Sequence, residues 1–184
     1  DVSKHRVIAV GRLDYQKGFD RLIEAWEIVQ KEKKYSDWRL DIFGQGEWFD
    51  MLQKMIVDLK LSETARINKP TNQIEHEYGN SSLIVMTSHY EGFGMVLVEA
   101  MACGVPAIAF DCKCGPKDII QEGVNGLLVP DNDIAGLARA MMRLMENETL
   151  RKRLSENAKA IVDTYSEEAV MSKWVSLFTS LVEK

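Results

Sequence analysis

Short apolar runs alternate with amphipathic helical patterns along the chain, and this alternation restricts the fold more than any other feature. The runs predict six strands: Arg6–Val10, Arg39–Phe43, Ala65–Asn68, Leu83–Thr87, Ala107–Phe110 and Gly126–Val129. Most of them are apolar throughout, which is typical of parallel strands that are buried on both faces. The sequence therefore predicts an α/β fold, a Rossmann-like doubly wound parallel sheet of about six strands.

Helical spacing of apolar residues fills the segments between these strands and the end of the chain. It predicts helices at 22–29, 48–61, 74–78, 95–103, 134–145, 149–164 and 167–182. Gly104 is expected to close the fourth helix, with Pro106 just beyond it. We expect one domain spanning residues 1–184. Trp26 and Trp38 fit core packing, whereas Trp174 and its apolar neighbours on the last helix are expected to be exposed.

Composition and charge narrow the function classes. The formal net charge of -5 argues against a nucleic-acid-binding domain. No apolar run approaches the roughly 18 residues of a membrane-spanning helix. Three cysteines are expected to be free thiols in a reducing cytosol, and the three histidines show no metal-ligand spacing. The first residue is not Met, so we expect an excised piece of a longer chain.

The turn after the first strand, Gly11–Gly18, carries two cations. Arg12 offers a planar fork of donors and Lys17 a compact positive charge, which together suit a diphosphate. A solvated loop with incidental charges is the alternative. Ligands of doubly wound folds bind at the carboxyl ends of the strands, and this position favours the diphosphate interpretation.

The turn after the second strand is glycine-rich but less informative. Gly44-Gln45-Gly46 resembles the start of a dinucleotide fingerprint, yet Phe49 replaces the third glycine and no acidic residue ends a strand about 20 residues on. A tight strand-to-helix turn is the preferred interpretation.

The segment after the fourth strand, Glu91–Glu99, is the most informative. A glycine-rich turn leads into a helix that begins near Gly94 or Met95, so free N–H groups and the positive end of the helix dipole form an anion site. Glu91 and Glu99 bracket this site, and a carboxylate can accept paired hydrogen bonds from vicinal hydroxyls. The pattern favours a ligand with two polyol parts joined by phosphates, although both glutamates could simply be solvated.

Three motifs together resemble the C-terminal domain of family 4 glycosyltransferases, which have the GT-B fold and retain anomeric configuration. They are G-R-L-x-x-x-K-G, E-G-F-G-x-x-x-x-E-A-M-A-C-G-x-P and D-I-I-x-x-G-x-N-G-L-L-V, and the resemblance runs from about Arg6 to about Tyr165. It implies a nucleotide-sugar-binding domain whose N-terminal acceptor domain is absent from this chain. The full-length protein is then a hexosyltransferase, and the isolated piece is expected to be inactive.

The resemblance also implies roles for individual residues. Arg12 and Lys17 would hold the donor diphosphate and neutralise the leaving nucleotide, with Gly11 beside them. Glu91 would bind hydroxyls of the donor sugar and Glu99 those of the ribose. Catalysis would rest on Arg12, Lys17 and Glu91. The donor would further contact backbone N–H groups near the turn: Gly92, Phe93, Gly94, Met95 and Val96.

The nucleobase loop and the sugar loop depart from the family pattern. The base-binding loop of the family often contains glycine, and this chain has Asn68, Lys69 and Pro70 there. Contacts with the base are assigned to these three residues, although they differ from the family pattern. Cys114-Gly115 replaces a Gly-Gly pair, which leaves sugar specificity open. No metal or other cofactor is expected; Asp131-Asn132-Asp133 resembles a manganese motif but fits helix capping better.

The implied reaction is retaining transfer of a hexose, with UDP-hexose favoured, in surface polysaccharide or glycolipid synthesis. We expect a cytoplasmic location, with association at the inner face of the membrane through the missing half, and no nucleic-acid partner. The alternatives are a sugar-nucleotide epimerase of the same architecture, a dinucleotide-dependent oxidoreductase and a non-catalytic nucleotide-binding module. The oxidoreductase lacks a full glycine fingerprint after the first strand, and a response-regulator-like module would need an acidic cluster there.

Overall fold

A computed structural model describes residues 3–182 and contains a six-stranded parallel sheet. The strands are β1 (Arg6–Val10), β2 (Arg39–Phe43), β3 (Ala65–Asn68), β4 (Leu83–Met86), β5 (Ala107–Asp111) and β6 (Gly126–Pro130). Their order across the sheet is β3-β2-β1-β4-β5-β6, and every neighbouring pair is parallel. The predicted doubly wound fold is confirmed, with strand bounds within one residue of the prediction.

Helices cover both faces of the sheet. They are α1 (Phe19–Gln30), α2 (Phe49–Asp58), α3 (Ile74–Gly79), α4 (Met95–Ala102), α5 (Pro116–Ile119), α6 (Ile134–Glu146), α7 (Glu148–Ala158), α8 (Val162–Tyr165) and α9 (Glu167–Val182). α1, α2 and α6 pack on one face around the fully buried Trp26, and α3, α4 and α5 pack on the other around Tyr78. Trp38 is also buried, as predicted.

The sheet changes its winding direction between β1 and β4. The chain moves outward from β1 to β3 and then returns to place β4 on the other side of β1, where Val7 pairs with Leu83 and Ile8 with Ile84. In open α/β sheets the ligand crevice forms at such a switch point, because the two following connections diverge to opposite faces. The turns after β1 and β4 are the two that the sequence singled out.

Two helical segments differ from the prediction. The single helix expected over residues 149–164 is wrong: α7 ends at Ala158, a 3₁₀ turn occupies Lys159–Ile161, and α8 follows. No glycine or proline marks this break. The tighter turn lets Ile161 pack into the core beside α4. The short α5 was missed, and it begins with Pro116 in its first turn.

A buried carboxylate joins β2 to its neighbours. Asp41 is 1% exposed and accepts hydrogen bonds from the guanidinium groups of Arg6 and Arg66, and from the Asn68 amide at 3.1 Å. Burial alone would raise the pKa of Asp41, but the bonds from Arg66 and Arg6 outweigh it and hold that pKa below its ordinary value. Arg6 also contacts Glu77 of α3 at 2.7 Å, so this network ties three strands and one helix together.

We predict that Asp41→Asn lowers the free energy of unfolding by about 3 kcal/mol at pH 7, since two guanidinium groups lose their shared carboxylate. The folded-state pKa of Asp41 is depressed, so its stabilisation is present above the unfolded value, about 4, and is lost as the pH falls below it. Urea denaturation between pH 7 and pH 2 should therefore show a steeper acid loss for the native chain than for the variant. Asp58→Asn, which removes an exposed pair with Lys54, is the control and should cost less than about 1 kcal/mol. Equal losses for the two variants would contradict this role.

The last helix carries a broad apolar surface that the rest of the described chain does not cover. None of its residues is buried, and Trp174 and Phe178 stack on each other with ring centroids 5.5 Å apart. The exposed set is Val170, Met171, Trp174, Val175, Leu177, Phe178, Leu181 and Val182. The predicted exposure around Trp174 is confirmed. Within residues 3–182, no helix is long and apolar enough to cross a membrane.

This apolar surface should bind a hydrophobic dye when the chain of residues 1–184 is isolated. Contiguous apolar patches of this kind rarely stay exposed in soluble monomers. Dye fluorescence should fall several-fold in the double variant Trp174→Ser/Phe178→Ser, because it removes the two stacked rings of the patch. The matched control is Val57→Ser, which changes an isolated exposed apolar residue on α2. Dye binding that is absent, or equal in all three proteins, would argue against an unpartnered surface on α9.

Candidate donor-binding site

The turns after β1 and β4 lie side by side at the carboxyl edge of the sheet. The first turn comes very close to the backbone that follows β4. Gly18 has a φ of +58°, and a Cβ at this position would lie 2.4 Å from the Thr87 carbonyl oxygen. Any other residue would combine a strained backbone with a steric clash. Gly18 is therefore required for the contact between the two turns.

Hydrogen bonds fasten the first turn to the segment after β4. The Thr87 hydroxyl donates to the Lys17 carbonyl at 3.1 Å, and the His89 amide donates to the Gln16 carbonyl at 2.8 Å. The Gln16 side chain donates in turn to the Tyr90 carbonyl at 3.2 Å. These three bonds join residues 16–17 of the first turn to three residues of the segment 87–90, so the two turns are held together as one unit.

A ring stack adds to this junction. Tyr15 and His89 lie with centroids 4.2 Å apart and planes 8° from parallel. Burial lowers the pKa of His89, and the nearby Arg21 lowers it further. The imidazole is therefore neutral at pH 7, which suits its packing against the flat face of the phenol ring.

The cation of Lys17 meets the carboxylate of Glu91 across the junction. Lys17 Nζ lies 2.6 Å from Glu91 Oε1, and the Ser88 hydroxyl donates to the same oxygen at 2.6 Å. Both charged side chains are mostly buried, at 15% and 6% exposure. Such a pair lies in a region of reduced dielectric, where charge interacts more strongly than in water. Both bonds end on the same carboxylate oxygen, Oε1 of Glu91.

The aliphatic stem of Lys17 runs over Gly11. A Cβ on Gly11 would lie 3.1 Å from three carbons of the Lys17 side chain, so a larger residue would push the ammonium group aside. The small size of Gly11 therefore leaves room for the Lys17 side chain, and its place in the donor site stays a prediction.

Arg12 takes a different direction from Lys17. Its side chain is 71% exposed, and its partners are Asp14 at 3.0 Å and Gln16 at 3.2 Å, both within its own turn. Lys17 is thus directed at the turn after β4, where it pairs with Glu91, whereas Arg12 is directed at its own turn. The binding of one diphosphate by both cations stays a prediction. The exposed guanidinium is free to rotate, because surface pairs of this kind are weak.

The glycine-rich turn opens the amino end of α4. Gly94 has a φ of +103° and is the N-cap, so no side chain caps the first N–H groups of the helix. Met95 is 57% exposed, and a Cβ at Gly92 would contact nothing, so both residues face open space. Free N–H groups and the helix dipole make this end a site for negative charge. Phe93 packs the turn in place against Tyr165, with centroids 5.1 Å apart.

The loop after β5 covers one side of this turn. The Lys113 carbonyl accepts from the Glu91 amide at 3.3 Å, and Gly115 has a φ of +91°. A Cβ on Gly115 would lie 2.3 Å from the Phe93 carbonyl oxygen. Between them, Cys114 has a φ of +65° and is exposed. Cys114-Gly115, which replaces the Gly-Gly pair of the family pattern, therefore lies against the turn that carries Glu91.

The remaining predicted residues lie around these turns. Val96 is half-buried in the first turn of α4, and Glu99 is exposed one turn further on, where its Oε2 accepts from the Tyr78 hydroxyl at 3.1 Å. In the base loop, the Asn68 side-chain amide donates to Asp41 at 3.1 Å, and its assignment to the base stays a prediction. Lys69 and Pro70 are exposed, and their assignment to the base stays a prediction.

The second turn is a close-packed connection, as preferred from the sequence. A Cβ on Gly44 would lie 2.0 Å from the Gly11 carbonyl oxygen, and one on Gly46 would lie 2.3 Å from that of Leu13. The two glycines let the second turn pack on the first and thereby support it.

The aspartate motif caps a helix, as expected. Asp133 accepts from the Gly136 amide at 2.8 Å at the start of α6, and Asp131 pairs with Arg21 at 2.9 Å. In the part of the chain that the structure describes, no group of three or more His, Cys, Asp or Glu side chains could hold a metal ion. The expectation of a metal-free site stays a prediction.

A family profile described as "Glycosyl transferases group 1" matches residues 1–161. The chain belongs to this family. The resemblance drawn from the three motifs is confirmed at that level, and the six-stranded parallel sheet agrees with a GT-B domain.

Two relatives illustrate how much of a longer protein is present. The chain is 40% identical over 172 residues to the amylovoran biosynthesis glycosyltransferase AmsD of Erwinia amylovora, covering 94% of this chain and 47% of that protein. It is 34% identical over 172 residues to the poly(ribitol-phosphate) alpha-N-acetylglucosaminyltransferase of Staphylococcus aureus, covering 93% and 34%. The chain thus spans less than half the length of these relatives.

Among solved structures, Staphylococcus aureus TarM matches with a TM-score of 0.88 and 32% identity, over 95% of this chain and 35% of that one. That crystal structure is of a point mutant of TarM in complex with fondaparinux, alpha-GlcNAc-glycerol and UDP. The agreement covers nearly the whole chain and places its fold among those of glycosyltransferases.

Sequence reasoning missed the residues that position the predicted ones. Ser88 bonds Glu91, Gln16 bridges the two turns, and Tyr78 bonds Glu99. Ser88 is three residues from Glu91, and Gln16 is four residues from Arg12. Their closeness along the chain to predicted site residues is a signal that could have identified them. Tyr78 is 21 residues from Glu99, and no local pattern connects them.

The three thiols should differ in reactivity with a disulfide reagent at pH 7.5, because the thiolate is the reactive form. Burial, with Glu91 and Asp131 nearby, raises the pKa of Cys112 to about 11, and burial also raises that of Cys103. We therefore expect one fast thiol, the exposed Cys114. Cys114→Ser should abolish the fast phase, and Cys112→Ser should leave it intact. Two or three fast thiols would contradict the described partial burial of Cys103 at the end of α4 or the burial of Cys112 after β5.

Proposed function

We propose that this chain is the donor-binding half of a retaining glycosyltransferase and that it binds a nucleoside-diphosphate hexose, with UDP-hexose as the favoured donor. The observation that carries the proposal is the Lys17–Glu91 pair, 2.6 Å apart, beside the uncapped amino end of α4 at the switch point of the sheet. A cation and free N–H groups suit the diphosphate, and carboxylates suit the hydroxyls on either side of it. UDP in the crystal structure of TarM supports the choice of base.

Binding of the donor would rearrange the charges at this site. Lys17 is paired with Glu91 in the free chain, so an incoming diphosphate would share or replace that carboxylate as its partner. Arg12, which is exposed beside the same turn, would rotate to the phosphates. Glu91 would then bind sugar hydroxyls through its other oxygen, and Glu99 would bind the ribose. The nucleobase would lie beside Lys69 and Pro70.

The proposed reaction transfers the hexose to an acceptor hydroxyl. The bond from the anomeric carbon to the phosphate oxygen breaks, and a bond to the acceptor oxygen forms on the same face of the sugar. The hydroxyl proton moves to the departing phosphate. Lys17, Arg12 and the amino end of α4 would stabilise the negative charge that develops on the nucleotide, so a metal ion is not needed in this proposal.

The acceptor would be bound by a part of the protein outside this chain, since the chain spans less than half of its relatives. We propose that this other part also covers the apolar surface of α9, so that α9 joins the two halves of the cleft. Surface polysaccharide or glycolipid synthesis is the proposed setting, and the amylovoran enzyme supports it. Membership of the glycosyl transferases group 1 family favours transfer over epimerisation.

Calorimetric titration of the chain with UDP, GDP and ADP tests the donor site. We expect UDP to bind best and Lys17→Gln to weaken its affinity by roughly 10- to 150-fold, which corresponds to a lost charged hydrogen bond of about 1.5–3 kcal/mol. Lys54→Gln removes a lysine from an exposed pair on α2 and should leave the affinity unchanged. If none of the three nucleotides binds at millimolar concentration, or if both lysine variants bind like the native chain, the donor-site proposal fails.

A further inference from the structure

A fully buried phenol lies behind the carboxylate that is proposed to bind the ribose. Tyr78 is 0% exposed on α3, and its hydroxyl donates to Glu99 Oε2 at 3.1 Å. Burial, together with the charge of Glu99, raises the pKa of Tyr78 far above its ordinary value. The hydroxyl therefore keeps its proton at every physiological pH and acts as a donor to Glu99.

Glu99 itself is poorly restrained by packing. It is exposed on α4, so its side chain would move among several rotamers if nothing held the carboxylate. Within residues 3–182, Tyr78 is the side chain that bonds this carboxylate. The bond occupies Oε2, so Oε1 would be the oxygen that accepts from a ribose hydroxyl.

The phenol is held more firmly than the carboxylate. Tyr78 packs in the core cluster on the α4 face of the sheet, and its helix is tied to β1 by the Arg6–Glu77 pair at 2.7 Å. The position of Glu99 is therefore set by Tyr78, and not the reverse. α3 also follows directly from the loop that contains Lys69 and Pro70, so one segment supports both the proposed base loop and the ribose carboxylate.

We propose that Tyr78 is a positioning residue for nucleotide recognition: it holds Glu99 in the rotamer that binds the ribose hydroxyls, which gives the site its preference for a ribonucleotide. This inference rests on the proposed function, because it takes Glu99 to be the ribose-binding carboxylate. A tyrosine that served the core alone would support folding, and its hydroxyl would have no effect on how the site distinguishes ribose from deoxyribose.

The test compares UDP with 2′-deoxy-UDP by calorimetry on the native chain and on Tyr78→Phe. Removing the hydroxyl should weaken UDP binding by roughly 3- to 10-fold, because Glu99 must then be ordered by the ligand itself. The affinity for 2′-deoxy-UDP should stay within about twofold, since less of its binding depends on Glu99. The ratio of the two affinities therefore falls, a change that a purely structural role would not produce.

Tyr35→Phe is the matched control. Tyr35 is also buried, and its hydroxyl donates to Glu146 at 2.5 Å. It precedes β2 and so lies at the amino edge of the sheet, away from the site. This variant loses the same kind of bond, and we expect its ratio of affinities to equal that of the native chain. Thermal melts of both phenylalanine variants check that each is folded.

A double-mutant cycle with Glu99→Ala separates the two ways of failing. If the native chain does not prefer UDP, or if Glu99→Ala keeps the preference, the ribose role of Glu99 in the proposed function is wrong. If the preference depends on Glu99 but Tyr78→Phe keeps it in full, the present inference is overturned and the proposed function stands. In the Glu99→Ala background, Tyr78→Phe should change the ratio no further.

Glu99→Asp provides a second variant that does not alter the core. Its carboxylate is one methylene shorter, so we expect that it does not reach both Tyr78 and a ribose. We expect the preference for UDP to fall to that of Glu99→Ala. Full preference in Glu99→Asp would show that the bond to Tyr78 is not required and would overturn the inference, even if Tyr78→Phe proved unstable.

Discussion

The parallel pairing of β1 with β4 is the constraint on which the site depends. Once Val7 lies beside Leu83 and Ile8 beside Ile84, the two turns that follow these strands must emerge next to each other at the carboxyl edge. Gly18 then permits contact with the Thr87 carbonyl, and hydrogen bonds from His89 and Gln16 hold the turns together. This backbone arrangement brings Lys17 and Glu91 within reach of each other.

The ion pair has a consequence for how a donor would bind. In the free chain Lys17 and Glu91 satisfy each other in a mostly buried place, so neither charge is left without a partner, which would be costly. A diphosphate that reached Lys17 would supply a second anion, and Glu91 would keep Ser88 as a donor to Oε1. Lys17 and Glu91 are therefore held in place before a ligand arrives, which would lower the ordering cost of binding at these two residues.

The sequence predicted most of the fold and the backbone of the site, but not the side chains that support it. The strands could be predicted from their apolar runs, because a parallel sheet is buried on both faces. The turn at Gly94 could be predicted from the glycines that precede the helix. The break after Ala158 had no signal, since helix-forming residues run through it and packing of Ile161 decides it. The direction of Arg12 depends on the detailed conformation of its own turn. The bond from Tyr78 to Glu99 depends on how two separate helices meet in space.

A crystal structure of this chain with UDP tests the central claim most directly. The account predicts that the diphosphate lies against the amino end of α4, with Lys17 Nζ within hydrogen-bonding distance of a phosphate oxygen. It also predicts that the ribose hydroxyls meet Glu99 while Tyr78 still bonds that carboxylate. A nucleotide bound elsewhere on the sheet, or bound here with Lys17 still directed only at Glu91, would contradict it.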